Sequence, residues 1–450
     1  MVEVENNIQK YPAYKDSGVE WLGEIPESWE IIKLKFISKI FNGDSLNEKK
    51  KLDYEINNDL KKGLPYISTK DINYEFSTIE YENGLEVPKE NNKLKIAPKD
   101  SFLLCIEGGS AGKKIGYLSQ DVCFVNKLAC FQNQENSNSK YLYYFSKSLA
   151  FQSQFQLSMT GLIGGVSISL IRNFDSYLPP FEEQTAIAQF LDDKTTKIDD
   201  AIAIKRLQIK LLRERKQILI HKAVTQGLNP NVKLKDSGVE WVGEIPVHWE
   251  VKRLKYILKT QGRIGFKGYT TSDLVDKKEG ALTFGASHLD WGGNIILEKP
   301  VYINWKKYYE SPEIMVSKND VLIVQRGSTC GKVALVDKDY GPTTINPSLV
   351  LLKEIRGNSS YIFLGIKVVL NGILNLVSKT AIPMLTQFQI DNIEIPLPSL
   401  IEQKEISAYI ESTSYKIETA INLKQQEIAK LKEYKSSLIN SAVTGKIKVC

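Results

Sequence analysis

Lys15-Asp16-Ser17-Gly18-Val19-Glu20-Trp21-Leu22-Gly23-Glu24-Ile25-Pro26-Glu27-Ser28-Trp29-Glu30 is written a second time as Lys235-Asp236-Ser237-Gly238-Val239-Glu240-Trp241-Val242-Gly243-Glu244-Ile245-Pro246-Val247-His248-Trp249-Glu250. Three of the sixteen positions differ, which chance does not produce. A second pair lies at nearly the same offset. Leu178-Pro179 and Leu397-Pro398 each open a long charged and apolar segment. Those segments close on Ala223-Val224-Thr225-Gln226-Gly227 and Ala442-Val443-Thr444-Gly445. Between the paired blocks, residues 31–177 and 251–396 share only a faint skeleton. Leu64-Pro65-Tyr66-Ile67-Ser68-Thr69 echoes Leu282-Thr283-Phe284-Gly285-Ala286-Ser287. Asp100-Ser101-Phe102-Leu103-Leu104 echoes Asp320-Val321-Leu322-Ile323-Val324, and each leads to a Gly-Lys pair, Gly112-Lys113 and Gly331-Lys332. The period is far too long for a solenoid. It reads as a tandem two-domain duplication, with near-constant flanks around two divergent cores.

The closing segments read as helices. Glu182–Gln226 contains no Gly or Pro and is rich in Ile, Leu, Lys, Arg, Gln and Glu, all helix formers. Pro179-Pro180 precede it, and Gly227 and Pro230 follow it as helix punctuation. Ser399-x-x-Glu402 supplies a capping box for the second copy. At 1.5 Å per residue each helix could reach about 65 Å. Steps of four and three residues pick out one stripe: Ile198, Ile202, Lys205, Ile209, Leu212, Lys216, Leu219 and Ala223. The second copy repeats it as Ile417, Ile421, Lys424, Ile428, Leu431, Lys435, Leu438 and Ala442, type for type. Such a heptad-like step keeps a seam facing a partner helix. Each Ile or Leu buried there contributes about 1.5–3 kcal/mol before entropy is counted. The expectation is an intramolecular antiparallel pair, since the first helix carries the chain from core one to core two and the second returns it. Two separate helical hairpins, or a coil between chains, are the competing readings. The fold class is therefore α+β: two recognition domains joined by two long antiparallel helices, an intramolecular coiled coil with pseudo-twofold character. The expected boundaries are 1–177, 178–230, 231–396 and 397–450.

Composition is that of an ordinary globular chain, 450 residues at 42% hydrophobic and 25% charged, so a wholly disordered or fibrous protein is ruled out. The 59 Lys and Arg against 53 Asp and Glu give +6, which permits a nucleic-acid partner without demanding one. Five cysteines (Cys105, Cys123, Cys130, Cys330, Cys450) show no Cys-x-x-Cys spacing, and reduced thiols are expected. Three histidines, His221, His248 and His288, are too few for chemistry needing a histidine cluster, and no metal site is expected. The N-terminus is polar, unlike a signal peptide, and no run is apolar enough for a membrane span. A cytoplasmic location is the expectation.

The divergent cores read as α+β, with a mostly antiparallel, twisted sheet. Ser101–Ile106, Ile115–Leu118, Val321–Gln325 and Val333–Val336 read as strands, and Tyr141–Leu157 and Tyr361–Val377 as covering helices. Each core has one distinctive loop between strand runs. In core one it is Glu107-Gly108-Gly109-Ser110-Ala111-Gly112-Lys113-Lys114; in core two, Gln325-Arg326-Gly327-Ser328-Thr329-Cys330-Gly331-Lys332. Small residues with free amides, hydroxyls and adjacent cations suit phosphate oxygens. Gln325 and Arg326 could instead reach base edges, Arg to guanine and Gln to adenine. A plain hairpin with solvated lysines competes with both. The candidate DNA-contacting set is Lys70, Ser110, Lys113, Lys114 and Lys127 in core one, with His288, Gln325, Arg326, Ser328, Thr329 and Lys332 in core two.

Catalytic patterns fail. A phosphate-binding P-loop needs Gly-x-x-x-x-Gly-Lys and then Ser or Thr. Gly112-Lys113 has Glu107 and Lys114 at the outer positions, and Gly331-Lys332 has Arg326 and Val333. Asn346-Pro347-Ser348-Leu349 faintly suggests the Asn-Pro-Pro-aromatic loop of adenine methyltransferases, but it lacks the second Pro and the stacking aromatic. Asp44 with Glu48-Lys49-Lys50 superficially fits a metal nuclease and reads better as a Lys-rich turn. The pattern argues for binding, with no catalytic residues assigned.

The motifs resemble the specificity subunit of type I restriction–modification enzymes. They are the Ser17–Pro26 block with Trp29 and its copy Ser237–Pro246 with Trp249; Leu178-Pro179-Pro180 with Glu183-Gln184 and Leu397-Pro398 with Glu402-Gln403; and the two closing Ala-Val-Thr blocks. The resemblance covers essentially the whole chain. It implies two target-recognition domains, each reading half of a bipartite, asymmetric DNA sequence, and a helical pair acting as a ruler for the unread spacer. It implies no catalytic activity of the subunit alone, two methyltransferase subunits and ATP-driven restriction subunits as partners. It places S-adenosylmethionine, ATP and magnesium on those partners, with no cofactor on this chain. The modest charge suggests weak DNA binding by the isolated chain, with partners neutralising many phosphates. A coiled-coil scaffold whose cores bind non-DNA ligands is the alternative, and absence of sequence-dependent DNA affinity in the purified complex would favour it.

Overall fold

The computed structural model describes residues 9–19, 23–48, 63–88, 93–161, 164–263, 268–376 and 384–449. The chain divides into two units. One comprises Met1–Leu207 with Lys424–Cys450, the other Gln208–Leu423. Each long helix therefore begins in one unit and ends in the other: Phe181–Gln226, 46 residues, and Leu400–Val443, 44 residues.

In unit 1, Ser38–Asn42, Leu128–Asn133, Phe102–Cys105 and Ile115–Tyr117 lie side by side as an antiparallel sheet. A second sheet runs Glu86–Val87, Leu64–Ile67, Val122–Phe124, Ile96–Ala97. Unit 2 repeats the first sheet with Lys259–Gly262, Leu349–Lys353, Val321–Val324 and Val333–Leu335. Its second sheet is Leu274–Val275, Val301–Asn304, Gly280–Phe284, Thr343–Ile345. The single mostly antiparallel sheet expected per core is thus two sheets, and each second sheet holds one parallel pair. Leu64–Ile67 and Val122–Phe124 are buried along their whole length, the environment parallel strands require. Their register equates Ile67 with Phe284, because each is paired with the last residue of its parallel neighbour, Phe124 or Ile345. The sequence echo quoted above is therefore one residue out of step.

The stretch read as one covering helix, Tyr141–Leu157, is two: Ser139–Ser146 and Leu149–Leu157. Ser148 breaks it by capping the second, its Oγ accepting from Phe151 N at 3.3 Å. Unit 2 has an unbroken helix, Ser359–Leu376.

The repeated blocks meet at one junction in each unit. Trp29 is fully buried, and its indole N–H donates to Glu183 Oε2 at 3.1 Å. Trp249 donates to Glu402 Oε1 at 3.1 Å. The neighbouring glutamines are buried as well. Gln184 Oε1 accepts from Asn138 N (2.8 Å) and its Nε2 donates to Pro179 O (2.9 Å). Gln403 does the same with Asn358 N (2.9 Å) and Pro398 O (2.9 Å). Asn138 and Asn358 in turn cap the covering helices. The closing motifs complete each junction. Tyr361 Oη donates to Val224 O (3.2 Å) and Pro396 O (3.0 Å), and Tyr141 Oη to Val443 O (3.3 Å) and Tyr177 O (3.1 Å). Gly445, at φ +71°, lies so close that a Cβ would stand 2.5 Å from the Pro26 ring, so only glycine fits.

The long helices pair antiparallel within each unit. In unit 1, Asp199 meets Lys435 at 2.6 Å and Lys205 meets Glu427 at 2.5 Å. In unit 2, Lys216 meets Glu418 at 2.9 Å. Of the stripe, Ile198, Ile202, Ile209, Ala223, Ile417, Ile421, Leu438 and Ala442 are buried. Leu212, Leu219, Ile428 and Leu431 are half-buried, as are the four lysines. The stripe lysines are therefore ion-paired rather than splayed. Lys435–Asp199 and Lys216–Glu418 are counterparts in the duplication. Lys424, whose counterpart acid across the seam would be Gln208, instead shares Glu427 at 3.3 Å with Lys205. Partly exposed pairs are each worth about 0.2–1 kcal/mol, less than one buried Ile. Apolar burial holds the helices together, and the charges select their register.

Three outcomes follow from this packing. Trp249→Ala should cost about 3–5 kcal/mol in chemical denaturation. In Glu402, burial opposes ionisation, but hydrogen bonds from His248, Trp249 and Ser399 outweigh it and hold the carboxyl at about 2. Its stabilising share is complete above the ordinary carboxylate range and is lost as pH falls toward 2. Glu402→Gln should flatten acid denaturation over that window. At the seam, Asp199→Lys and Lys435→Asp should each destabilise, and the double reversal should recover about 0.5–1 kcal/mol in a mutant cycle.

Candidate nucleic-acid interface

The two distinctive loops share their closing bonds, with one more residue in core one before the strand resumes: Cys105 N donates to Lys114 O, Val324 N to Lys332 O. Gly112 N donates to Cys105 O at 2.8 Å, and Gly331 N to Val324 O at 2.8 Å. Ala111 N reaches Gly108 O (2.9 Å), and Cys330 N reaches Gly327 O (3.0 Å). Lys113 N donates to Ser110 O (3.0 Å), and Lys332 N to Thr329 O (3.3 Å). Gly108 and Gly327 take φ of +88° and +95°, and no L side chain suits that turn. These amides close the loop on itself. These amides are therefore not available to the backbone cradle expected for phosphate.

The candidate side chains divide into two groups. His288 is buried, and its Nδ1 accepts from Gly285 N at 3.0 Å while Nε2 lies 3.0 Å from Lys299 O. This assigns the Nε2–H tautomer and makes His288 a turn-capping residue, the counterpart of Asp71, which caps Ser68. Gln325 is buried and donates from Nε2 to Pro347 O at 2.8 Å. Lys114 Nζ donates to Thr69 O at 2.6 Å, and Lys332 Nζ to Leu289 O at 2.7 Å. Both are staples joining the loop to the turn after the parallel strand. In this structure the polar tips of these four are engaged within the fold, which a local pattern does not reveal.

Lys70, Lys113, Arg326 and Ser328 are exposed, and Ser110 and Thr329 are half-buried at the loop tips. Lys127 is held loosely to Glu107 at 3.9 Å, both half-exposed. Each loop also pairs through its backbone with a later segment, Glu107 with Gly165 and Arg326 with Met384. Sequence reading missed these rim segments, and it missed Tyr74 and Trp291. Both aromatics are more than half exposed at hairpin tips that follow the capped turns. Their signal was an aromatic after Asn73 or Asp290, and Trp291 lies 5.8 Å from Lys332 Nζ. Aromatics beside cations suit nucleic acid.

The catalytic resemblances dissolve. Asp44 accepts from Lys95 N at 2.7 Å, and Asn346 Oδ1 accepts from Ser348 N at 2.9 Å in a local turn. Lys49 and Lys50 lie outside the described residues, as does Cys450. Cys105, Cys123, Cys130 and Cys330 are buried. Among the described residues no group of three or more His, Cys, Asp or Glu could hold a metal ion. No helix there is long and apolar enough to cross a membrane.

Residues 26–211 and 246–433 match the family model of the type I restriction modification DNA specificity domain. The chain is 27% identical over 438 residues to the type I restriction enzyme MjaVIII specificity subunit of Methanocaldococcus jannaschii, covering 94% of each. It is 21% identical to the EcoBI specificity subunit of Escherichia coli, covering 96% of this chain and 89% of that one. Among solved structures, a chain from a study of type I R-M complex assembly and conformational transition aligns with a TM-score of 0.71 at 15% identity, over 93% of this chain and 98% of that one. The HsdS subunit of Thermoanaerobacter tengcongensis aligns with a TM-score of 0.53 at 15% identity, over 94% and 98%.

The two groups of loop residues should behave oppositely in denaturation. His288→Ala leaves the Gly285 amide unpaired and should cost about 1–3 kcal/mol. Arg326→Ala should stay within about 0.5 kcal/mol of the parent.

Proposed function

Because the chain belongs to the type I restriction–modification DNA specificity family, we propose that its two cores each read one half of a bipartite, asymmetric DNA target. The chain is the non-catalytic specificity component of such a system. The observation that carries the bipartite reading is the pair of loops with closely similar backbones and different exposed residues at matching positions: Glu107 and Gly109 in core one, Arg326 and Ser328 in core two. Similar scaffolds with unlike tips are what two half-sites of unlike sequence require. Arg326 is the candidate for a bidentate contact to guanine. Lys70, Lys113 and Lys127 are candidates for phosphate contacts.

The paired helices act as the ruler that sets the unread gap, and their register pairs keep its length single-valued. Double-stranded DNA, two methyltransferase subunits and restriction subunits are the partners. S-adenosylmethionine, ATP and magnesium reside on those partner subunits. Domains bounded as 1–177, 178–230, 231–396 and 397–450 describe this division of labour.

Sequencing methylated sites in a host carrying this chain and a cognate methyltransferase tests the reading. A two-part motif with a fixed gap is expected, and Arg326→Ala should relax one half only. Uniform loss across all sequences, with neither half relaxed, would make Arg326 a phosphate contact. Inserting four residues into both helices adds about 6 Å. At about 3.4 Å per base pair the gap should widen by one or two base pairs. An unchanged gap would remove the ruler.

A further inference from the structure

Lys147 in unit 1 and Lys367 in unit 2 occupy equivalent places. Each ammonium lies over the ring four residues earlier, Tyr143 at 4.0 Å and Phe363 at 5.7 Å. Each follows the tyrosine, Tyr141 or Tyr361, that binds the end of a long helix. Their surroundings differ in what each ammonium bonds. Lys367 Nζ donates to Gly292 O at 2.5 Å, a carbonyl of the hairpin that follows the capped turn. The matching hairpin of unit 1, residues 73–77, supplies no such carbonyl. There Glu75 is drawn to Arg206 and Lys432 on the long helices, and Lys147 is left with the Tyr143 hydroxyl. Lys147 instead borders an open cavity of about 600 Å³.

The lining of that cavity is cationic. Lys113 from the distinctive loop, Lys147, Lys432 and Lys435 all border it, with Glu75 and Asp199 as the acids. Asp199 is committed to Lys435, and Glu75 to Lys432 and Arg206. Among the described residues, no carboxylate forms an ion pair with Lys113 or Lys147. Burial and then the Lys435 charge push the Lys147 amine down to about 7, against the pull of Asp199 and Asp192. A lysine so placed gains from an added anion what its counterpart gains from a carbonyl, together with full charge.

We propose that this cavity is an oxyanion site that seats a phosphate group between Lys113 and Lys147. The inference is independent of which DNA the chain reads. Two sources share this chemistry: a free phosphate-bearing small molecule and a backbone phosphate of bound DNA.

Calorimetry on the full chain with inorganic phosphate and pyrophosphate, at pH 8 in buffers of differing ionisation enthalpy, tests it without DNA. Saturable binding with uptake of about one proton is expected, because the anion re-protonates Lys147. The uptake should vanish at pH 6, where Lys147 is already charged. Lys147→Met should weaken binding by about ten-fold or more. Lys147→Arg should retain binding without proton uptake, and Lys367→Met should change neither. Phosphate that displaces duplex DNA identifies the backbone as the source; phosphate bound alongside DNA identifies a free anion. A site that takes only DNA phosphate shows no free-phosphate binding, but Lys147→Met then lowers the DNA salt slope by about one. Free-phosphate binding that persists in Lys147→Met overturns the proposal, as does absent phosphate binding with an unchanged salt slope.

Discussion

A buried tryptophan donating its indole N–H to a glutamate at the head of a long helix is the contact on which each unit depends. Trp29 with Glu183, and Trp249 with Glu402, join segments far apart in sequence. The adjoining Gln184 and Gln403 tie the same helix start to the capped covering helix. The motif closing a long helix seals the junction from the other side, so close to Trp29 in unit 1 that Gly445 admits no side chain. A buried indole N–H or glutamine amide is costly to leave unmade. The blocks that supply these partners are the ones kept nearly identical in the two copies. The cores hang from these junctions and differ freely at their loop tips.

The helix seam shows how unequal energies divide a task. Burial of the Ile and Leu stripe outweighs the ion pairs severalfold, yet an apolar stripe with a repeating step tolerates a slip of one heptad. Lys435 with Asp199, and Lys216 with Glu418, resist it in one direction. A one-heptad slip one way would set Lys435 against Arg206 and Lys216 against Gln425, so in that direction the weaker interaction opposes the slip.

Much of the fold was legible because its signals are local and written twice. Helix limits fall within a residue of the pattern, since Pro179-Pro180 and Gly227 act on their own neighbours. The second sheet of each core, with its parallel pair, was not legible. Continuous apolar runs such as Leu64–Ile67 look alike whether their neighbour is parallel or antiparallel. At the candidate interface, residue type misled for the same reason. Lys114 and Lys332 carry the same charge as Lys113, but their tips are spent on Thr69 and Leu289 carbonyls.

From the chain text alone came the duplication, the two helices and their stripe, the loops between paired strands and the absence of a catalytic motif. Each is a pattern within a few turns of chain or a literal repetition. Tertiary structure alone decided which segments close on which: that Ala442–Gly445 returns to Trp29 and Tyr141, that His288 and Gln325 face inward, and that Lys147 borders a cavity where Lys367 has a carbonyl. These turn on contacts between residues tens to hundreds of positions apart. No local periodicity encodes such contacts, because they depend on which polar groups the packed chain leaves without water.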